Sequence, residues 1–553
     1  MTEREYPFGA HRGFDRVCVG LQVWGQRIFC GLMIALLGVL SLLSCVMSAK
    51  VSIGEHVTYP RDAVWPCVLM LFLAMITCWQ LLRQLARWRP TKVLGIVLAW
   101  TAALAVLWLL LTRPSPTGDA GITTADAYAF SGGEYGALSG TYFRYYPFQA
   151  GITLYKELCF RLVRLLLPAR LETFGRPDIL LQFLNIGWLC GAYAALHTLL
   201  GQAFPGESGR GIRNTLSLLL PGCLPAVFFC TFEYGTLPGL CGSLWAAALQ
   251  AKFLRTGQKR WMAPALACIA LACLMKPNYL IAAVALCIQL LLCFLRKREW
   301  LRLAAVPLCA LCVFGAMWLP QAQYEWRSGQ DLGKGIPKLA WMAMGLGENS
   351  YMTTGWWDPD YTVVAYDRLQ GNVGELRQES VQAIRTKLEN LAEDPAHLRR
   401  FVYEKVTSQW CEPAYQSIWN SWVCSQYSFW NQLDQGMTKD VYEGRIRPWL
   451  DGWMNLYQPV IYLFALAGLL ALLRRGDPLL LVPPVTVFGG FLYHLFFEGK
   501  AQYILPFFVL LLPVAALGLW RAQAWFDALA ADVWQAGAAR RKMKRDKARS
   551  AEK

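Results

Sequence analysis

Apolar runs of roughly membrane-spanning length recur along nearly the whole chain, and that repetition excludes most folds. The hydrocarbon core of a bilayer takes about 20 apolar residues of helix. Runs near that length fall at 28–48, 63–82, 93–112, 178–200, 214–232, 236–254, 261–276, 278–295, 303–320, 457–473, 479–495 and 501–520. Only helices and closed barrels satisfy their backbone polar groups in lipid, and continuous runs of this length read as helices. Only 16% of the 553 residues are charged and 56% are hydrophobic. That is too little charge to wet the surface of a soluble protein of this size. The expected fold class is an all-α polytopic membrane protein with about 12 transmembrane helices. The first span follows a polar segment holding Glu3, Glu5 and Asp15, with no small-residue cleavage site after it, so it reads as a retained span rather than a signal peptide.

The formal net charge is +16, yet its distribution argues against a nucleic-acid partner. The basic residues gather in short connections: Arg83, Arg87, Arg89 and Lys92; Arg210 and Arg213; Arg255, Lys259 and Arg260; Arg296, Lys297, Arg298 and Arg302; Arg474 and Arg475; and a tail from Arg540 to Lys553. That is the positive-inside pattern, and it places both termini in the cytoplasm of a multi-pass cell-membrane protein. The segment around 148–167 decides the topology. It carries Lys156, Glu157, Arg161 and Arg164, which are costly in hydrocarbon. Taken as an amphipathic helix on the outer face, it leaves every basic cluster inside.

The organisation expected is therefore a cytoplasmic segment 1–27 and a transmembrane region 28–320 interrupted by a first outer loop 113–177. A large extracytoplasmic loop 321–456, C-terminal spans 457–520 and a basic cytoplasmic tail 521–553 complete the chain. The large loop has a helical pattern from Glu375 to Trp410, broken at Asp394-Pro395. It is rich in Trp, which suits either a sugar face or burial and anchoring at the membrane interface. Cys411 and Cys424 are the two cysteines in polar outer sequence, and either a disulfide or two free thiols fits them. The five histidines are scattered, and no metal-ligand spacing occurs among them.

The first outer loop opens with Asp119-Ala120-Gly121, continues to Asp126, and reaches Tyr145-Tyr146-Pro147-Phe148-Gln149. A carboxylate just beyond a span, followed by an aromatic-Pro-Gln turn, suits general-base chemistry at the membrane's outer face. In order along the chain come Thr117-Gly118-Asp119, Ala127, Gly133-Glu134-Tyr135 and Tyr146-Pro147-Phe148-Gln149. The large loop adds Met344-Gly345-Leu346-Gly347, Gly355-Trp356-Trp357, Asp394-Pro395, Lys405 and Gln409-Trp410-Cys411-Glu412-Pro413. Glu498-Gly499-Lys500-Ala501-Gln502-Tyr503 precedes the last span. The ordered set resembles the GT-C superfamily of integral membrane glycosyltransferases, in its bacterial protein-O-mannosyltransferase-like and aminoarabinose-transferase-like branches. Two positions depart from that pattern. Ala120 stands where many members have a second acid, and Gln502 where Arg is frequent.

The resemblance implies a GT-C-type helical bundle that moves a sugar from a polyprenyl-phosphate-linked donor to an acceptor at the outer face. The acceptor would be a glycan, lipid or protein, the surrounding partner membrane lipid, and the stereochemistry inverting. No cofactor is implied, and a divalent metal is left open. Asp119 is the candidate base, with Asp126 about two helical turns on as the second candidate. Cations must stabilise the leaving phosphate, and Lys276, Lys500 and Arg144 are the candidates. Lys500 reads equally as an interfacial anchor. Tyr146, Gln149, Glu498 and Tyr503 complete the substrate-binding set. Competing readings are a transporter or flippase for lipid-linked glycans, which would not need a folded outer loop, and a polymerase, which favours outer-loop Arg and His.

Overall fold

The computed structural model describes residues 12–85, 87–166, 178–297, 299–348, 353–426, 435–475 and 478–551. Apart from one small hairpin it is built of helices. In that hairpin β1 (Lys50–Val51) pairs antiparallel with β2 (Val57–Thr58), Lys50 opposite Thr58. Three long apolar helices, α1 (Arg12–Val46), α2 (Val64–Leu85) and α3 (Pro90–Thr112), open the bundle. Pro90 starts α3 where its missing N–H costs nothing, and Arg113 ends it in a left-handed conformation (φ 40°) just before Pro114. Then come α4 (Gly118–Ser131), α5 (Thr141–Tyr145) and α6 (Ala150–Leu166), followed by the long apolar α7 (Asp178–Ala203). Next are α8 (Gly206–Leu219), α9 (Leu224–Phe228), α10 (Thr236–Thr256), α11 (Met262–Met275), α12 (Leu280–Lys297) and α13 (Trp300–Ser328).

The long polar segment folds as α14 (Lys338–Gly345), α15 (Val363–Arg368), α16 (Val373–Glu393), α17 (Pro395–Trp410), α18 (Ser417–Gln426) and α19 (Gln435–Tyr442). The helical stretch from Glu375 to Trp410 is interrupted at Asp394, where the sequence expects it. Its carboxylate accepts from the N–H groups of Ala396 (2.8 Å) and His397 (3.2 Å), capping α17, with Pro395 in the first turn. The chain closes with α20 (Arg447–Arg475), α21 (Val482–Phe496) and α22 (Leu505–Ala551). The core lies where α20 runs along α22, where α1 packs on α20, and where α10 is wedged between α7 and α11.

Among the described residues eight helices are long and apolar enough to cross a membrane, or nine if a bent pair is counted as one span. The sequence reading reaches about twelve by adding four segments. The segment 214–232 is the bent pair, turned by 60° where Pro221 and Pro225 interrupt the helix. Helices α11 and α21 have only 14 and 15 residues. Helix α10 has 21, diluted by Pro238, Gly239, Gly242 and Ser243, and it is buried on nearly every side. Protein neighbours rather than lipid surround such a helix, so apolar length is no longer demanded of it.

Helix α6 is too short and too charged to count as a span. Lys156 and Glu157 are buried against protein, while Leu158, Leu162, Leu165 and Leu166 are exposed. An apolar outward face over a charged inward face is the arrangement expected of a helix lying at a membrane surface.

Candidate functional site

The site is assembled at one end of the bundle by close backbone contacts around α6. A β-carbon on Gly151 would collide with the Leu274 carbonyl at the end of α11. One on Gly235 (φ 76°) would sit 2.6 Å from the Met275 carbonyl. Only glycine fits at either place. The start of α6, the turn before α10 and the broken end of α11 therefore meet at Lys276, whose backbone is extended before Pro277.

Asp119 lies in the first turn of α4 and is half-buried. The Tyr234 hydroxyl donates to its Oδ2 at 2.7 Å, and Gln149 Nε2 donates to that hydroxyl at 2.5 Å. Lys276 Nζ stands 4.8 Å from the centre of the Tyr234 ring and 4.9 Å from that of Tyr503, a cation held between two aromatic faces. It also reaches the Thr236 hydroxyl at 3.5 Å. Tyr503 donates to Glu498 Oε1 at 3.4 Å, and the ring of His494 stacks on it at 5.6 Å. Burial pushes the Glu498 carboxyl up to about 7, against the pull of Lys500. Asp119, Gln149, Lys276, Glu498 and Tyr503 are thus one connected group.

A crevice of about 400 Å³, counting its open mouth, runs from this group along the bundle. Lys276, Asn278 and Tyr503 mark its polar end, and Tyr279, Ala282, Pro506, Phe507 and Leu510 its apolar walls.

The other candidates are placed differently. Lys500 is engaged by Glu55, at the turn of the β1–β2 hairpin, through two 2.7 Å contacts, with both side chains largely buried. Gln416 Nε2 donates to the same carboxylate at 3.1 Å. Tyr146 packs among Tyr142, Phe148 and Trp341 at ring distances of 5.3, 6.1 and 5.8 Å, close enough to feel the charges of Asp119 and Glu498. Arg144 is exposed on α5, where it passes beside Gly371. Asp126 lies on the same face of α4 as Asp119, and its carboxyl is pushed up to about 6 by burial, with Lys156 opposing.

Several distant motif residues also converge here. Lys405 Nζ donates to the carbonyls of Gly345 and Phe497, Gly499 N–H donates to Gly355 O at 3.1 Å, and Trp356 Nε1 donates to Ser408 Oγ at 3.2 Å. These bonds seat the segment carrying Glu498 and Lys500 on α14 and α17, so Lys405 serves as a clamp. Cys411 is buried, and the Cys424 side chain lies outside the described residues. No cluster of three or more His, Cys, Asp or Glu that could hold a metal ion occurs among the described residues.

Sequence reasoning missed Tyr234, Glu233, Glu55 and the inward role of Lys156. The signal for the first two was present: Glu233-Tyr234-Gly235 is a polar break between two apolar runs, and intramembrane polar breaks mark sites. Glu55 had no local signal, because its partner is 445 residues away.

Together these features define a polytopic, all-α membrane protein with a polar, charged site at one end of its bundle. No family model matches the chain, and neither a curated protein nor a solved structure matches it at significance.

Proposed function

We propose that the protein is a membrane glycosyltransferase of GT-C type, moving a sugar from a polyprenyl-phosphate donor to an acceptor hydroxyl at the outer face of the membrane. The observation that carries this reading is the pairing of Asp119 with Lys276 across Tyr234, at the polar end of a crevice with apolar walls. A lipid phosphate has the matching form: an anion for the cation and a hydrocarbon tail for the walls. Asp119 accepts the proton of the acceptor hydroxyl as its oxygen bonds to the anomeric carbon. The bond from that carbon to the phosphate oxygen breaks, and the electron pair leaves on the lipid phosphate, whose charge Lys276 offsets. One displacement of this kind inverts the anomeric centre. The outer face is part of the proposal, and the basic clusters in the short connections support it through the positive-inside rule.

The test is sugar transfer from a panel of radiolabelled polyprenyl-phosphate sugars by membranes holding wild-type protein or Asp119→Asn at equal expression. Transfer by wild type that collapses in the variant is the expected result. Equal transfer by both removes Asp119 from the chemistry. Absence of transfer with every donor, together with movement of a labelled lipid-linked glycan across proteoliposomes, would replace this reading with a flippase.

A further inference from the structure

Behind α4, away from the crevice, a lysine is fully enclosed by protein. Lys156 is 1% exposed, and its Nζ contacts the Ala120 carbonyl (3.2 Å), Thr123 Oγ1 (2.8 Å) and Thr124 Oγ1 (2.8 Å). Both threonine hydroxyl protons are already committed. Thr123 donates to the Asp119 carbonyl at 2.7 Å and Thr124 to the Ala120 carbonyl at 2.7 Å. Three acceptors therefore meet one nitrogen, and only an ammonium has three protons to give. A neutral amine would leave one contact unmade.

Charged groups face this ammonium from every side. Asp119 and Asp126 come from α4, and Glu233 comes from the turn before α10 with Asp178 of α7 beyond it. The Glu233 carboxylate is 3% exposed and lacks a geometrically sound hydrogen-bond partner for either oxygen among the described residues. Burial and the nearby Asp178 push its carboxyl up to about 8, and Lys156 opposes that shift.

We infer that Lys156 is a positioning residue for Asp119: its ammonium locks the first turn of α4 by bridging the Ala120 carbonyl and the Thr123 and Thr124 hydroxyls. The inference rests on the glycosyltransferase reading only for its catalytic consequence, because the locking of α4 can be measured without substrate. Burial holds the Lys156 proton affinity well below the usual lysine range, and Glu233, Asp119 and Asp126 oppose that only in part. Lys156→Met removes both the donors and the charge. Thr124→Val removes one acceptor while keeping the volume close, so it serves if the first variant folds poorly.

Amide hydrogen exchange in detergent micelles is the first readout. Residues 119–124 are expected to exchange at least about tenfold faster in either variant, with α13 unchanged, in keeping with the loss of one or more charge-assisted bonds. Unchanged exchange in both variants would overturn the inference whatever the activity. The second readout is how sugar transfer divides between kcat and KM. A base held out of place lowers kcat with KM little changed, so Lys156→Met should lower kcat at least about tenfold. Transfer by wild type with kcat unchanged in both variants would also sink the inference. Absence of transfer by wild type fails the functional reading alone and leaves the exchange result to decide.

Discussion

The hydroxyl of Tyr234 is the smallest part on which the site depends, since it joins Asp119 to Gln149 and its ring carries Lys276. Tyr234→Phe keeps the ring and removes the bond to the carboxylate. A hydrogen bond to a charged group contributes about 1.5–3 kcal/mol, so transfer should fall about 10- to 100-fold with little change in folding. An unchanged rate would mean that Asp119 is oriented by something else. Glu498 supplies the pH dependence at this scale. Its carboxyl titrates at about 7. Below that it is neutral and leaves Asp119 alone to offset the charge of Lys276; above it, it becomes a second carboxylate near Lys276. A dialkyl phosphate, with one charge throughout this range, should bind about tenfold more weakly at pH 8 than at pH 6. Burial lowers Lys276 to about 8, so Glu498→Gln should bind more tightly than wild type at pH 8 while keeping a shallower fall from pH 6; a slope as steep as wild type would assign the titration to another group.

Helices meet at this site only because two residues lack side chains. Gly151 on α6 abuts the Leu274 carbonyl, whereas Gly20 on α1 has nothing within 4 Å of its would-be β-carbon. Gly151→Ala forces α6 away from α11, and overpacking of this kind costs about 1–3 kcal/mol. Gly20→Ala should be neutral or stabilising by up to about 1 kcal/mol. Thermal unfolding in detergent separates the two, and equal melting temperatures would show that the contact yields without strain. The same element shows what sequence can and cannot supply. The charges on α6 marked it as a poor span, because charge in hydrocarbon is costly wherever it occurs. That Lys156 turns inward onto α4 depends on which helix lies behind it, and no local pattern encodes that. Helix α10 shows the reverse failure. Its apolar run reads as a span by length, and what the sequence could not tell is that the run faces protein on nearly every side. Asp119, Lys276, Glu498 and Tyr503 were legible one by one, as charges or aromatics near span ends, and Gln149 as part of the aromatic-Pro-Gln turn. Their convergence was not, because the partners are separated by up to hundreds of residues.

At the scale of the whole molecule, a buried ion pair between Glu55 and Lys500 ties the beginning of the chain to its end. The hairpin between α1 and α2 reaches over the long segment, with Ala49 N–H donating to Cys411 O at 2.8 Å and Trp419 Nε1 to Ile53 O at 3.1 Å. At its turn Glu55 adopts a positive φ of 60° and meets Lys500, three residues before Tyr503. A non-glycine residue in that conformation is strained, and here the ion pair holds it in place. The pair also distinguishes the two cations: Lys500 is in direct contact with the Glu55 carboxylate, while Lys276 has hydroxyl and ring contacts and feels Glu498 and Asp119 from further off. Glu55→Gln leaves the Lys500 ammonium buried without its counter-charge, which costs about 3–5 kcal/mol. Removing both charges in Glu55→Gln with Lys500→Met relieves that penalty, so the double variant should be more stable than the first alone. A double-mutant cycle on detergent-solubilised protein measures the coupling. Additive single effects would mean that hairpin and site are joined only by packing. A coupling of about 2 kcal/mol or more would make the hairpin an electrostatic part of the site, although it lies in the first connection of the chain and the residue it neutralises lies in the last.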